Sequence, residues 1–337
     1  MSPSVKPIFP LRDGIILTWA AESFRSQATA AALGLEPVWL APPHLSGKLR
    51  KALFYPVAFV KTLMILARRR PATVVCLNQP PFLPLACALY GWVSGAPFLM
   101  DFHSGAIGKR IWRPFQPLYR ALVRRSPATL CHNHDDAAVV RSWGGRAVPL
   151  LSLPLGLEGC MAQPLPETPT ILAVCSFAED EPTELMLEAI RQRPDVKFRL
   201  TGRYAKAGLS QENLPPNVTL LGFIPYETYL RELCTATAVL TLSTRGHIMQ
   251  MAAEEALTVG VPVLTNRSPA IEEVFGDAGV FCDLTLEGLM DGIDTVIRGA
   301  AELRVKVRAS REAQITWVNT ALREVSCENP NLFQEQP

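Results

Sequence analysis

The sequence predicts an α/β protein made of two successive doubly wound parallel sheets. Short apolar runs alternate with helical stretches along nearly the whole chain, the pattern of parallel strands joined by crossover helices. Residues 152–169, SLPLGLEGCMAQPLPETP, interrupt that alternation with prolines and glycines and show no periodicity, as linkers do. The length of 337 residues exceeds what one small core organises, and two domains are expected. The expected boundaries are a first domain at 1–151, the linker at 152–169, a second domain at 170–326 and a tail at 327–337.

In the first domain Ile15–Trp19 reads as a strand and Phe24–Leu33 as a helix, which Gly34 stops. Pro37–Leu40 is strand-like. Lys48–Arg70 is a long basic helix in which Pro56 is a point of kinking or restart. Thr73–Leu77, Phe98–Met100, Ala128–Cys131 and Ala147–Leu150 follow as strands. Leu83–Val93, Phe115–Arg125 and Asp135–Trp143 are the helices between them. In the second domain Thr170–Val174, Lys197–Leu200, Val218–Leu221, Ala238–Leu242, Val261–Thr265 and Gly279–Phe281 read as strands. Leu286–Ile297 and Ala301–Val325 are terminal helices.

The apolar fraction of 48% with 19% charged residues is that of a globular chain. No run of 18 apolar residues is present, so no spanning helix is expected, and the first 20 residues lack a basic region before an apolar run and a clear cleavage site, so no signal peptide is expected. The eight cysteines are scattered without a Cys-x-x-Cys, which fits reduced thiols of a cytoplasmic protein. The net charge of +2 hides an asymmetry. Residues 1–150 hold 18 Lys+Arg against 6 Asp+Glu, or +12, and residues 151–337 hold 15 against 25, or −10. A basic half suits an anionic partner such as a membrane surface, a lipid phosphate or nucleic acid, or an acidic neighbouring domain. KLRKALFYPVAFVKTLMILARRR (48–70) reads equally as an interfacial helix against anionic lipid and as a core helix with basic ends. RIWRPFQPLYRALVRR (110–125) adds a second basic-aromatic stretch, but no nucleic-acid recognition motif accompanies either.

The densest functional signal is STRGHIMQMAAEEALTVGVPVLTN (243–266). A strand enters a loop of small residues, a helix with an acid inside it follows, Gly260 stops that helix, and the next strand begins. Such a βαβ unit places polar groups at the carboxyl end of a strand and the amino end of a helix, where α/β proteins bind phosphorylated ligands. Cys131-His-Asn-His134 suggests metal ligands only superficially, because alternate residues of a strand end point to opposite faces and no second ligand pair is apparent, so no metal is expected. There is no Gly-x-Gly-x-x-Gly after the first strand and no Gly-x-Ser-x-Gly, which argues against a dinucleotide oxidoreductase and an α/β-hydrolase.

Several stretches, in order, resemble the GT-B glycosyltransferases of the family-4 (group 1) type, in particular the branch that builds bacterial exopolysaccharides and lipid-linked glycans. These are CSFAEDEP (175–182), FRLTGRYAK (198–206), PPNVTLLGFIPYETYLREL (215–233) and residues 243–281, joined in the first half by residues 16–34 and by APFLMDFHSGAI (96–107). The resemblance spans roughly residues 13–325. It implies two Rossmann-like domains facing a central cleft, with the nucleotide-sugar on the second and the acceptor on the first. It implies transfer of a glycosyl group to an acceptor hydroxyl with retention at the anomeric carbon and no metal or other cofactor.

The resemblance also implies roles for single residues. Glu255 matches the acid that holds the ribose hydroxyls, a task suited to an ionised acceptor; the alternative is a helix-surface glutamate like Glu254. His247 stands where the family has a second acid, and Gly246 where this branch has an aspartate. The Arg and Lys that the wider family carries after the first strand of this domain are absent from the acidic CSFAEDEP. Diphosphate binding therefore falls to Arg245, to Arg203 and Lys206, to Ser176, and to free N–H groups of a helix starting near Ile248. In the first half His103 matches a histidine that contacts the transferred sugar, with Asp101 either orienting its ring or ending the strand. Ser104 and Gly105 offer backbone N–H groups to an anion, and Glu22 and Arg25 lie in the turn after the first strand, on the acceptor side. The expected protein is a glycosyltransferase of polysaccharide or glycolipid synthesis, cytoplasmic or peripheral on the inner face of the membrane. Its expected partners are a nucleotide-sugar donor, a glycan or lipid-linked acceptor and an anionic membrane surface, and nucleic acid is not among them. The alternatives are a catalytically degenerate GT-B protein that binds a glycan or a partner, and a nucleotide-sugar epimerase.

Overall fold

The computed structural model describes residues 9–20, 24–41, 48–103, 110–132, 134–149, 161–245 and 249–332. The chain divides into two compact units, one of residues 1–156 with 315–337 and one of residues 157–314.

The first unit is built on six parallel strands: β1 (Gly14–Thr18), β2 (Glu36–Trp39), β3 (Thr73–Leu77), β4 (Phe98–Phe102), β5 (Thr129–Cys131) and β6 (Ala147–Pro149). Their order in the sheet is β2-β1-β3-β4-β5-β6. Alternate residues feed two cores. Ile15, Leu17, Val74, Cys76, Phe98, Met100 and Phe102 point to one face. Ile16, Val75, Leu99 and Leu130 point to the other, as the period of a strand buried on both sides requires. The helix Lys48–Arg69 runs through Pro56 without a break. It is a core helix, with Ala58, Thr62 and Leu66 buried, and it also carries an exposed strip of Val57, Val60 and Met64. Among the described residues no helix is long and apolar enough to cross a membrane.

The second unit repeats the plan with β7 (Thr170–Ala173), β8 (Lys197–Thr201), β9 (Val218–Gly222), β10 (Ala238–Thr241), β11 (Val263–Asn266) and β12 (Gly279–Cys282). The order is β12-β11-β10-β7-β8-β9, all parallel. In each sheet the chain winds first one way and then the other. The reversal lies between β1 and β3 in the first sheet and between β7 and β10 in the second. Outside the carboxyl ends of such strand pairs doubly wound sheets bind their ligands.

Three helices appear that the sequence pattern passed over: Thr183–Arg191, Tyr226–Thr235 and Pro269–Phe275. Each begins at a proline, with Pro182 and Pro225 as N-caps and Pro269 at the first turn. The proline reads as a breaker, yet at a helix start its missing N–H costs nothing. The last long helix, Ala300–Glu328, departs from the expected boundary at 326, because its residues from Ile315 belong to the first unit. Val318, Leu322 and Val325, one stripe of that helix, are buried with Leu11, Ile16, Leu99 and Leu130 in a single core. Arg146 adds ion pairs to Glu324 and Glu328. Burying three such aliphatic side chains is worth several kcal/mol, about 2 each, far more than the exposed pairs.

Candidate functional site

In the second unit the helix after β10 is Met251–Val259. It starts three residues later than Ile248, and Gly260 ends it in the left-handed conformation at φ 79. Glu255 sits in its second turn and is 7% exposed. Two tyrosines of Tyr226–Thr235, three residues apart and therefore on one helix face, close over its carboxylate. The Tyr229 hydroxyl donates to Oε2 at 2.5 Å and the Tyr226 hydroxyl to Oε1 at 3.4 Å. Burial pushes the Glu255 carboxyl up to about 7, and the two hydroxyls offset this only in part. Glu255 is thus a buried acid poised between its neutral and charged forms near neutral pH. Glu254 is not a surface residue: it is 1% exposed.

Two loops meet where the second sheet reverses. After β7, the carboxylate of Glu181 folds back and accepts from the N–H of Ser176 (2.8 Å), Phe177 (2.7 Å) and Ala178 (3.3 Å) and from the Ser176 hydroxyl (2.8 Å). After β10, Ser243 Oγ donates to Asp180 at 2.9 Å, the Thr244 N–H donates to the Asp180 carbonyl at 2.7 Å, and Arg245 pairs with the Asp180 carboxylate at 3.2 Å. The Ser243 N–H donates to Oδ1 of Asn266, at the end of β11, at 2.9 Å. Asp180 therefore ties the first loop to the second. Gly202, at the end of β8, takes φ 91, and a Cβ there would lie 1.9 Å from the Cys175 carbonyl oxygen, so only glycine lets the loop pass.

In the first unit the register sets Asp101 of β4 beside Leu77 of β3 and Leu130 of β5. The residues just beyond those neighbours are thereby drawn together. Asn78 clamps the backbone of His103, accepting from its N–H at 3.1 Å and donating to its carbonyl at 3.1 Å. His132, after β5, makes a hydrogen bond of 2.5 Å between Nε2 and Asp101 Oδ1. His103 Nε2 lies 3.4 Å from Asp101 Oδ2. Asp101 is fully buried. Burial pushes its carboxyl up, but His132 and His103 outweigh this and hold it well below the usual carboxylate range. Asp101, His103 and His132 bring one possible ligand atom each within 4.8 Å of one another. Sheet register thus brings Asp101 and His103 beside His132, a grouping that was not apparent from the spacing of Cys131–His134. A tetrahedral metal with bonds of about 2.0–2.1 Å spaces its ligand atoms roughly 3.3 Å apart. The contact of 2.5 Å between Asp101 and His132 is a hydrogen bond, so the trio as it stands is a carboxylate shared by two imidazoles.

Residues 168–298 match the family model described as Glycosyl transferases group 1. This segment is a group 1 glycosyltransferase domain. No curated protein matches the chain. Solved structures share its fold over nearly the whole length. HepE from Anabaena, solved with UDP and glucose, has a TM-score of 0.60 at 13% identity, covering 95% of this chain and 92% of its own. Sucrose-phosphate synthase from Thermosynechococcus elongatus gives 0.61 at 16%, covering 87% and 83%. The lipopolysaccharide outer core galactosyltransferase WaaB gives 0.61 at 12%, covering 92% and 99%. The two six-stranded parallel sheets are the paired Rossmann-like domains of the GT-B fold.

Within the glycosyltransferase domain, β-strand ends place Glu255, Arg245 and Ser176 on the loops and helix that flank the reversal between β7 and β10. Arg245 is 67% exposed in its side chain and already paired with Asp180. Ser176 is engaged by Glu181. Arg203 lies in the loop after β8, on the far side of β7 from β10, with its guanidinium over the ring of Phe223. Lys206 is exposed in the short turn Tyr204–Ala207. Neither joins the Asp180 network. His247, Gly246 and Ile248 lie outside the described residues, as do Glu22, Ser104 and Gly105; Arg25 is placed by its backbone in the helix Phe24–Ala32, and its side chain is outside them too. The sequence reading missed Tyr226 and Tyr229, although their spacing marks one helix face, and it missed Asn78 and Glu181, whose contacts are created by strand register and a loop reversal. It noted His132 only within Cys131–His134 and did not connect it with Asp101, because strand register creates that contact too.

Proposed function

We propose that this chain transfers a glycosyl group from a nucleotide-sugar to a hydroxyl of a glycan or lipid-linked acceptor, in polysaccharide or glycolipid synthesis. The observation that carries the proposal is Glu255: a buried carboxyl, at the reversal of a parallel sheet inside a group 1 glycosyltransferase domain, held by two tyrosine hydroxyls. An ionised Glu255 accepts from both hydroxyls of a ribose. Arg245 and the loop at Ser176 would meet the diphosphate, and His103, fixed by Asn78 and Asp101, would meet the transferred sugar. His247, outside the described residues, is assigned to the same donor sugar or diphosphate. In the reaction the bond from the anomeric carbon to the diphosphate breaks and a bond from that carbon to the acceptor oxygen forms. The acceptor proton passes to the departing phosphate. Retention would follow if the departing phosphate serves as that base on the face it leaves. No metal or cofactor enters this scheme. The structure of HepE with UDP-glucose lends support for a uridine donor.

The test is calorimetric titration with nucleoside diphosphates between pH 6 and pH 8, a window chosen around the Glu255 value. Affinity should rise with pH as Glu255 loses its proton, and Glu255→Ala should weaken binding by about 1–3 kcal/mol. Affinity that is flat with pH and unchanged in Glu255→Ala removes Glu255 from the nucleotide site. Conversion of a nucleotide-sugar with no acceptor present would favour the epimerase reading.

A further inference from the structure

The loop after β7, given above to the diphosphate, is already occupied by a side chain of the protein itself. The N–H groups of Ser176, Phe177 and Ala178 converge on one point, and the Ser176 hydroxyl joins them. Consecutive N–H groups turned to a common centre form an anion-binding concavity. Phe177 makes this possible by adopting φ 58, a left-handed conformation that few non-glycine residues take. The occupant is the chain's own anion, the carboxylate of Glu181.

A second, independent observation concerns place. The concavity lies where the second sheet reverses, since β7 and β10 are neighbours in a sheet whose chain runs outward from both. The carboxyl ends of that strand pair are where a doubly wound domain meets its ligand. Ser176 is exposed, so a ligand can reach the loop. Asp180, one residue earlier, holds Ser243, Thr244 and Arg245 through bonds of its own. Rotation about the Glu181 side-chain bonds therefore opens the concavity without undoing that tie.

We propose that the Ser176–Ala178 concavity is a phosphate subsite which Glu181 fills in the free protein, so that a phosphate-bearing ligand binds by exchange with the Glu181 carboxylate. Assigning that phosphate to a nucleotide-sugar rests on the function proposed above; the exchange itself does not. One anion replaces another on the same donors, so the loop keeps its hydrogen bonds throughout. Affinity in the unaltered protein is lowered by the fraction of time that Glu181 stays in place.

Titration of the full chain, Glu181→Gln and Glu181→Ala with inorganic pyrophosphate and with UDP tests this. Glu181→Gln keeps the shape and removes the charge, so it should release the concavity and tighten pyrophosphate binding on the order of tenfold, with Glu181→Ala at least equal to it. Unchanged or weaker pyrophosphate binding in a folded Glu181→Gln overturns the proposal. So does loss of folding in both variants by circular dichroism, which would make Glu181 a structural cap. UDP binding to the unaltered protein without a gain in Glu181→Gln sinks the exchange alone and leaves the nucleotide site intact. A gain for pyrophosphate with no preference for UDP over pyrophosphate keeps the exchange and removes the nucleotide reading.

Discussion

Asp101 of the first unit and Glu255 of the second are both buried carboxyls near the carboxyl ends of parallel strands, and their surroundings drive them in opposite directions. Asp101 is held well below the usual range although burial pushes it up, because two imidazoles face it. Glu255 rises to about 7, because the hydroxyls of Tyr229 and Tyr226 donate hydrogen bonds but bring no charge. Burial is common to the two acids, so the partner decides the outcome. A carboxylate held in its ionised form by neighbouring imidazoles is a fixed charge that holds side chains in place. A carboxyl with phenol partners stays near its titration point, and a ligand offering two hydroxyls can tip it to the ionised form.

The largest effect that would break this contrast is expected at Asp101. Asp101→Asn takes the ionised acceptor from the buried His132 ring and from its neighbour His103, and leaving a buried polar group without its charged partner costs about 3 kcal/mol or more. Because the Asp101 value is depressed, its stabilisation should be complete above the ordinary carboxyl value of 3.8 and be lost as pH falls below it. Urea unfolding of both proteins at neutral and acidic pH measures this. Equal stability at neutral pH would show that Asp101 is not the centre of the trio.

A smaller effect with the opposite sign in pH is expected at Glu255. Its value is raised from 4.5 to about 7, so the folded chain binds the proton more tightly than the unfolded chain. Its contribution to stability is therefore full below pH 4.5 and declines by about 3 kcal/mol as pH rises to about 7. Glu255→Gln should flatten that slope while abolishing the pH dependence of nucleotide binding. A slope that persists in Glu255→Gln would place the titrating group elsewhere.

The smallest effect sharpens the comparison by its absence. Arg245 pairs with Asp180 across solvent, 67% exposed, so Arg245→Ala should change stability by no more than about 0.5 kcal/mol. Loss of diphosphate affinity with unchanged thermal unfolding would mark Arg245 as a ligand-binding group. A drop in stability of several kcal/mol would make the Asp180 tie a structural one.

Much of this architecture was legible in the sequence. Each strand reads as a local apolar run, and the order of strands and helices implies parallel sheets by connection length alone. Glu255 was legible too, because its helix, its Gly260 stop and the strand after it are contiguous. Proline-initiated helices such as Tyr226–Thr235 were not, since the residue that starts them also breaks helices elsewhere. The sequence by itself determined the alternation of elements, the βαβ unit around Glu255 and the charge asymmetry, which are properties of neighbouring residues or of composition. Only the tertiary structure decided that Asn78, Asp101, His103 and His132 share one site, that Val318, Leu322 and Val325 return to the first unit, and that Glu181 fills a concavity of backbone N–H groups. The physical reason is range. Helix and strand propensities act over a few residues, whereas sheet register and core packing join residues from 25 to more than 300 positions apart, and a reversed loop is fixed by what packs against it.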